Sequence, residues 1–160
     1  TQEPEPPMPE FSTTRRVRHN ASDMFDLVAD VERYPEFLPL CSGMKLRSRK
    51  EQAEGVVVIV ADMTVAYKLI RETFRSRATL DRANLRILVE YLEGPFSRME
   101  NRWEFHPVQE KLSDVKFFIS YEFRSRMLGM LMGAMFETAF RRFAVAFEQR
   151  ADAIYGRKSA

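Results

Sequence analysis

Ser125-Arg126-Met127-Leu128-Gly129-Met130-Leu131-Met132-Gly133-Ala134-Met135-Phe136-Glu137-Thr138-Ala139-Phe140, continuing without a proline to Tyr155, is the stretch on which the fold turns. At about 3.6 residues per turn it makes one helix of about eight turns. Its second half is two-faced. Phe136, Ala139, Phe140, Phe143, Ala144, Phe147 and Ile154 recur at three- and four-residue steps, and Glu137, Arg141, Glu148 and Asp152 take the other side, so one face needs a partner surface. The first half differs: from Met127 to Phe136 there is no polar residue, and nearly every side is apolar. That run is too short to span a bilayer, which takes about 20 residues. Its methionines, Met127, Met130, Met132 and Met135, supply a soft, adaptable surface. Two readings stand: ordinary core, or a wall shared between the core and an apolar ligand cavity.

The partner surface lies upstream. Phe11 to Val17 alternates loosely and suits an edge strand. Asn20 can cap a short helix from about Ala21 to Asp30, with Asp23 at the capping-box spacing and Met24, Leu27, Val28 and Val31 on one face. Tyr34-Pro35-Glu36-Phe37-Leu38-Pro39-Leu40-Cys41 permits about one helical turn, started by Pro35. From Met44 the period becomes two, with Met44, Leu46 and Ser48 opposing Lys45, Arg47 and Arg49. Glu51 to Gly55 reads as a turn, and Val56 to Tyr67 as the next strand. Strands follow at Arg71 to Leu80, Leu85 to Tyr91, Phe96 to His106 and Phe117 to Phe123, separated by Asp81 to Asn84, Gly94-Pro95 and a loop at Pro107 to Leu112. Consecutive strands with short links make an antiparallel meander, dry on one face, and only the final helix is long enough to cover it. The fold class is therefore α+β: about seven strands curved around a long C-terminal helix, with two short helices after the first strand. Residues 10–156 form the domain. Residues 1–9, rich in proline and glutamate, read as a disordered leader or tail, and 157–160 as a disordered C-terminus.

Composition narrows the chemistry. The chain of 160 residues contains one cysteine and two histidines, so neither a disulfide framework nor a cysteine metal cluster is available. No metal site or covalent cofactor is expected. His106 falls on the wet face, and His19 is read as a surface residue in a charged turn; neither is placed beside a nucleophile. Cys41 reads as a packed small residue in a cytosolic-type, reducing compartment. The net charge of +2 hides local basic clusters that include Lys45, Arg47, Arg49, Arg71, Arg75 and Arg77. More informative are Glu72, Ser76 and Asn101, which alternation assigns to the dry face. They need protein or water partners, or else they orient the head group of an apolar ligand.

Five segments together carry a family resemblance: Tyr34 to Cys41, Arg71-Glu72-Thr73-Phe74-Arg75-Ser76-Arg77, Glu93-Gly94-Pro95-Phe96, Asn101-Arg102-Trp103-Glu104-Phe105 and Ala146-Phe147-Glu148-Gln149-Arg150-Ala151. In this order they resemble the coenzyme Q-binding subgroup of the START-like, polyketide-cyclase-related domains, over about Pro9 to Gly156. Leu40 departs from it, since relatives often carry tryptophan there. The resemblance implies a helix-grip fold with a hydrophobic tunnel, and a non-catalytic chaperone of ubiquinone that supports respiratory electron transport. Close relatives are also described as ribosome-association toxins.

Two functions follow as expectations. In the first, a polyprenyl quinone or other apolar lipid lies between sheet and helix. Met99, Trp103, Phe117, Ile119, Tyr121, Met127, Met130, Leu131 and Met135 line its tail, Tyr34, Phe37 and Leu38 form a lid, and Asn101 or Tyr121 meets the head group. The protein would be cytoplasmic, with transient contact at the inner face of a membrane. In the second, the ribosome is the partner, inhibited in subunit association through Lys45, Arg47, Arg49, Arg71, Arg75 and Arg77. DNA is not an expected partner. A cyclase or hydrolase would need acid–base groups that the sequence scarcely offers.

Overall fold

The computed structural model describes residues 10–156; the expected leader at 1–9 and tail at 157–160 lie outside the described residues. The elements in order are β1 (Glu10–Val17), α1 (Ala21–Ala29), a 3-10 helix (Val31–Glu36), β2 (Cys41–Ala53), β3 (Val56–Tyr67), β4 (Ile70–Asp81), β5 (Arg86–Glu93), β6 (Phe96–Gln109), β7 (Leu112–Phe123) and α2 (Arg126–Tyr155). All pairings are antiparallel, in the order β1-β7-β6-β5-β4-β3-β2. The meander from β2 to β7 follows from tight links, and α1 with the 3-10 helix carries the chain from one sheet edge to the other. Register shifts in β2, at Arg75/Ser76, at Phe96/Arg98 and at Pro107/Gln109 mark bulges. Each bends its strand and deepens the right-handed twist, so the sheet curls around α2. This is the helix-grip fold.

Both helices start where a polar side chain can accept from an open first turn. The Asn20 side chain accepts from the Asp23 N–H at 2.7 Å, and Ser125 Oγ accepts from the Leu128 N–H at 3.1 Å. Such caps stabilise by about 1 kcal/mol each. The 3-10 helix begins at Val31, four residues before the proline expected to start it; Pro35 lies near its end, lacks the N–H that would extend the ladder, and is followed by one more helical residue. The break after Tyr67, which has no glycine or proline, is a turn at Lys68 and Leu69, with Lys68 at φ 55°. Strands β2, β6 and β7 run longer than the periodicity suggests. The expected turn at Glu51 to Gly55 shrinks to residues 54–55, and the loop at Pro107 to Leu112 to residues 110–111.

Two aromatic groups hold α2 in the grip. Phe96 meets Phe74, Tyr91, Tyr121, Phe123 and Phe136 at centroid distances of 5.1–5.9 Å. Farther along, Trp103 meets Phe117 at 4.7 Å and Phe147 at 5.2 Å, and Phe147 meets Tyr34 at 5.3 Å and Phe37 at 5.1 Å. Edge-on pairs of this kind add about 0.5–1.5 kcal/mol each beyond the area they bury. Gly94 explains one quoted segment: at φ 148°, a Cβ there would lie 2.5 Å from Phe74 Cβ, so only glycine lets the β5–β6 turn close over the first group.

Candidate functional site

Between the two aromatic groups the concave sheet and α2 do not meet completely. The cavity left there, about 80 Å³, is walled by β2–β7, the 3-10 segment and Phe136, Ala139, Phe140, Phe143 and Phe147 of α2. Its sheet wall includes Ile59, Met63, Val65, Phe74, Ala78, Leu80, Ile87, Val89, Met99, Trp103 and Ile119. A cavity of roughly 150 Å³ holds one benzene, and drug-sized ligands occupy roughly 300–1,000 Å³. The cavity is thus a slot, and any ligand of that size would have to widen it by moving side chains or α2.

Polar groups on this lining can be followed one by one. The Tyr34 hydroxyl donates to the Val28 carbonyl, and burial raises its phenol far above the usual range. The Trp103 indole N–H donates to Asn101 Oδ1 at 3.0 Å, and Asn101 Nδ2 donates to the Phe118 carbonyl at 2.9 Å. Asn101, one of the two expected head-group contacts, is therefore occupied in fixing the tryptophan. Ser76 remains. It is half-buried, lines the cavity between Ala61 and Tyr91 on the neighbouring strands, and its hydroxyl has no hydrogen-bond partner among the described residues. Among the described lining residues Tyr34 is the only titratable one.

The expected lining divides into three groups. Tyr34, Leu38, Met99, Asn101, Trp103 and Ile119 are on the cavity wall. Phe37, Phe117, Tyr121 and Met135 pack into the core without reaching the cavity. Met127, Met130 and Leu131 face outward at 71%, 80% and 60% exposure, a correction to the lining expected of them. With no polar residue to mark an outer side, the sequence left the rotation of this half-helix open; the sheet contacts made by Leu128, Met132 and Phe136 set it. The wall also contains residues that sequence reasoning passed over, Ala78, Ala139 and Phe143 among them. Small residues give no signal of their own, although they are what leaves the space.

The segment expected to form a lid is tied down. Arg150 Nη2 donates to Glu36 Oε1 at 2.8 Å, and its guanidinium lies 5.1 Å from the Phe37 ring centroid. Arg33 donates to the other Glu36 oxygen, and the two arginines hold the Glu36 carboxyl below its usual pKa.

The basic residues also divide. Arg47 and Arg75 converge on Asp62 at 2.7 and 2.8 Å, and hydrogen bonds from Arg75 and then Arg47 pull the Asp62 pKa down to about 2. Arg77 lies 3.6 Å from Glu90. Lys45 and Arg71 are exposed on the same convex face. Arg49 is not on that face: the bulge between Leu46 and Ser48 shifts the alternation, so Arg49 sits opposite Ile59 on the concave side, in a cleft beside Asp26, Asp30 and Glu32. Three of the six expected contacts are therefore neutralised by acids and one is on the other side. His19 corrects its surface assignment, being 5% exposed with Nε2 2.7 Å from Asp152 Oδ1. Cys41 is buried as expected, and desolvation raises its thiol to about 11.

The family model for polyketide cyclase / dehydrase and lipid transport matches residues 17–148. The chain belongs to this family. Among curated relatives, the ribosome association toxin RatA of Escherichia coli strain K12 is 31% identical over 92% of this chain and 90% of its own length. The mitochondrial coenzyme Q-binding protein COQ10 homolog B of Xenopus laevis is 28% identical over 93% of this chain and 60% of its own. Among solved structures, the 18 kDa protein CC1736 of Caulobacter crescentus is 30% identical, with TM-score 0.75 over 94% of this chain and all of that one. The Zhui aromatase/cyclase of Streptomyces sp. R1128 also has TM-score 0.75, over 96% and 98% of the two chains, but at 20% identity that likeness shows the fold alone.

In this family member, Leu40 reaches the cavity from a left-handed backbone at φ 66°, its carbonyl accepting from the Ala66 N–H at 2.9 Å. The departure noted in the sequence thus falls on the cavity wall.

Proposed function

We propose that this protein is a non-catalytic carrier of an apolar lipid of the polyprenyl quinone class, held between the sheet and α2 with one quinone oxygen accepting from Ser76. The observation that carries this reading is the apolar slot in which, among the described residues, every polar side chain of the lining except Ser76 has a hydrogen-bond partner. A quinone head accepts hydrogen bonds and donates none, so a single free hydroxyl suits it. Each buried CH2 of the tail gains roughly 0.8 kcal/mol before ordering costs, which allows affinity without further polar contacts. General acid–base catalysis needs a group that titrates near the working pH. Tyr34, raised by burial and hydrogen-bonded to the backbone, does not supply one.

The test is mass spectrometry of lipids that co-purify from cells making quinone. Wild type should carry quinone, and Ala139→Leu, which fills the slot from the α2 side, should carry at least tenfold less. No quinone with wild type would sink the proposal.

A second reading, ribosome association, is favoured by the name of the Escherichia coli relative. On this chain the exposed convex cations Lys45 and Arg71 would make the contact. Phosphate binding weakens steeply with salt. Pelleting with ribosomes at low salt, lost in Lys45→Glu/Arg71→Glu and unaffected by Ala139→Leu, is the expected result under that reading. Pelleting indifferent to the convex charges would count against it.

A further inference from the structure

We propose that the end of the molecule at which α2 begins docks on an anionic lipid bilayer surface. Antiparallel order brings the β3–β4 turn, the β5–β6 turn and the β7–α2 junction to one end of the sheet. Nine large hydrophobic residues are exposed among the described residues. Six of them, Tyr67, Leu69, Leu92, Met127, Met130 and Leu131, belong to these three connections or to the helical turns just after them. The outer stripe of α2 starts apolar with Met127, Met130, Leu131 and Ala134, then becomes Glu137, Thr138, Arg141 and Arg142. The apolar part spans about 10 Å at 1.5 Å per residue. No described helix is long and apolar enough to cross a membrane, so the contact is with the surface.

Charge selects the kind of surface. Lys68, Arg71, Arg124 and Arg126 are exposed at this end, and none of the four is in an ion pair among the described residues. The acids nearby are Glu72, half-buried on the concave side, Glu93, 3.9 Å from Arg75, and Glu122, opposite Arg98 on β6. The rim is therefore basic around an apolar centre, which complements anionic head groups. A second copy fits poorly, because a two-fold contact places each patch against itself and would bring like charges together. Docking does not depend on what the cavity holds. It would place the cavity end walled by Leu40, Phe74, Phe96 and Phe136 nearest the bilayer.

The experiment is co-sedimentation with phosphatidylcholine vesicles, with and without phosphatidylglycerol, at low and high salt, in the absence of any quinone. Wild type should bind the anionic vesicles and release at high salt. Met130→Glu and Leu69→Glu should each lose tenfold or more. Lys68→Ala and Arg126→Ala should each lose about fivefold, from about 1 kcal/mol per basic residue near the surface. Arg86→Ala, at the opposite end, should bind like wild type, and all variants should melt like wild type because the sites are exposed. Absence of wild-type binding, full binding by Met130→Glu, or a solution dimer that Met130→Glu dissociates would each overturn the proposal. Because the vesicles contain no quinone, such a failure leaves the co-purification result for the cavity untouched.

Discussion

The two halves of α2 carry similar amounts of apolar side chain and place them differently. From Phe136 onward, Phe136, Ala139, Phe140, Ala144, Phe147 and Ala151 are buried, and the polar residues face out or pair with the elements alongside, as Glu148 does with Arg15 at 2.7 Å and Arg150 with Glu36 at 2.8 Å. Before Phe136 only Met132 is buried, while Met127, Met130 and Leu131 meet solvent. The second half is thus part of the fold's stability, whereas the first contributes little to it and is free to meet something else. Apolar content alone does not decide which role a segment has; the polar residues interleaved with it do.

The largest expected effect is in the second half. Phe147→Ala removes a fully buried ring that touches Trp103, Tyr34 and Phe37, and should cost about 3–5 kcal/mol in denaturant unfolding. A loss under about 1 kcal/mol would break the contrast. The same division runs across the sheet, between its concave and convex faces. Asn101→Leu leaves the Trp103 indole and the Phe118 carbonyl without their partners and should cost about 1–3 kcal/mol by the same measurement.

Asp62→Asn, on the convex face, should cost under about 1 kcal/mol at neutral pH, because the arginines it pairs with are partly solvated. Its sign is fixed by the depressed pKa: the carboxylate's contribution is present above pH 3.8 and is lost as pH falls towards about 2. The stability gap between wild type and variant should therefore close over that window in melts taken at descending pH. Smallest of all, Met130→Glu in the first half of α2 should change stability by no more than about 0.5 kcal/mol in the same unfolding assay.

Most of the fold was legible because strands such as β6 have one wet face. In Phe96 to His106 the alternation of Met99, Trp103 and Phe105 with charged residues gives both the strand and its inner side. The two failures of facing arise where that contrast is missing or interrupted. Met127 to Phe136 has no polar residue to point outward. The β2 bulge inserts one residue, so Arg49 crosses to the concave side although the sequence alternates without a break. At the site, the large wall residues Met99, Trp103 and Ile119 could be anticipated from their face. The emptiness could not, since it depends on Ala78 and Ala139, where side chains are too small to close the gap. Ser76 and Asn101 were both recognised as polar residues on a dry face. Only coordinates could separate the hydroxyl that remains free from the amide that is bound to Trp103.

Trp103 is the chain's only tryptophan and stands on the cavity wall, so its fluorescence reports the cavity directly. Titration with a short-chain ubiquinone should quench that fluorescence saturably in wild type, with little dependence on salt, and Ala139→Leu should abolish the saturable part while leaving the unliganded spectrum in place. Quenching that rises linearly without saturation, or that is equally strong in the filled variant, would contradict a quinone held between the sheet and α2.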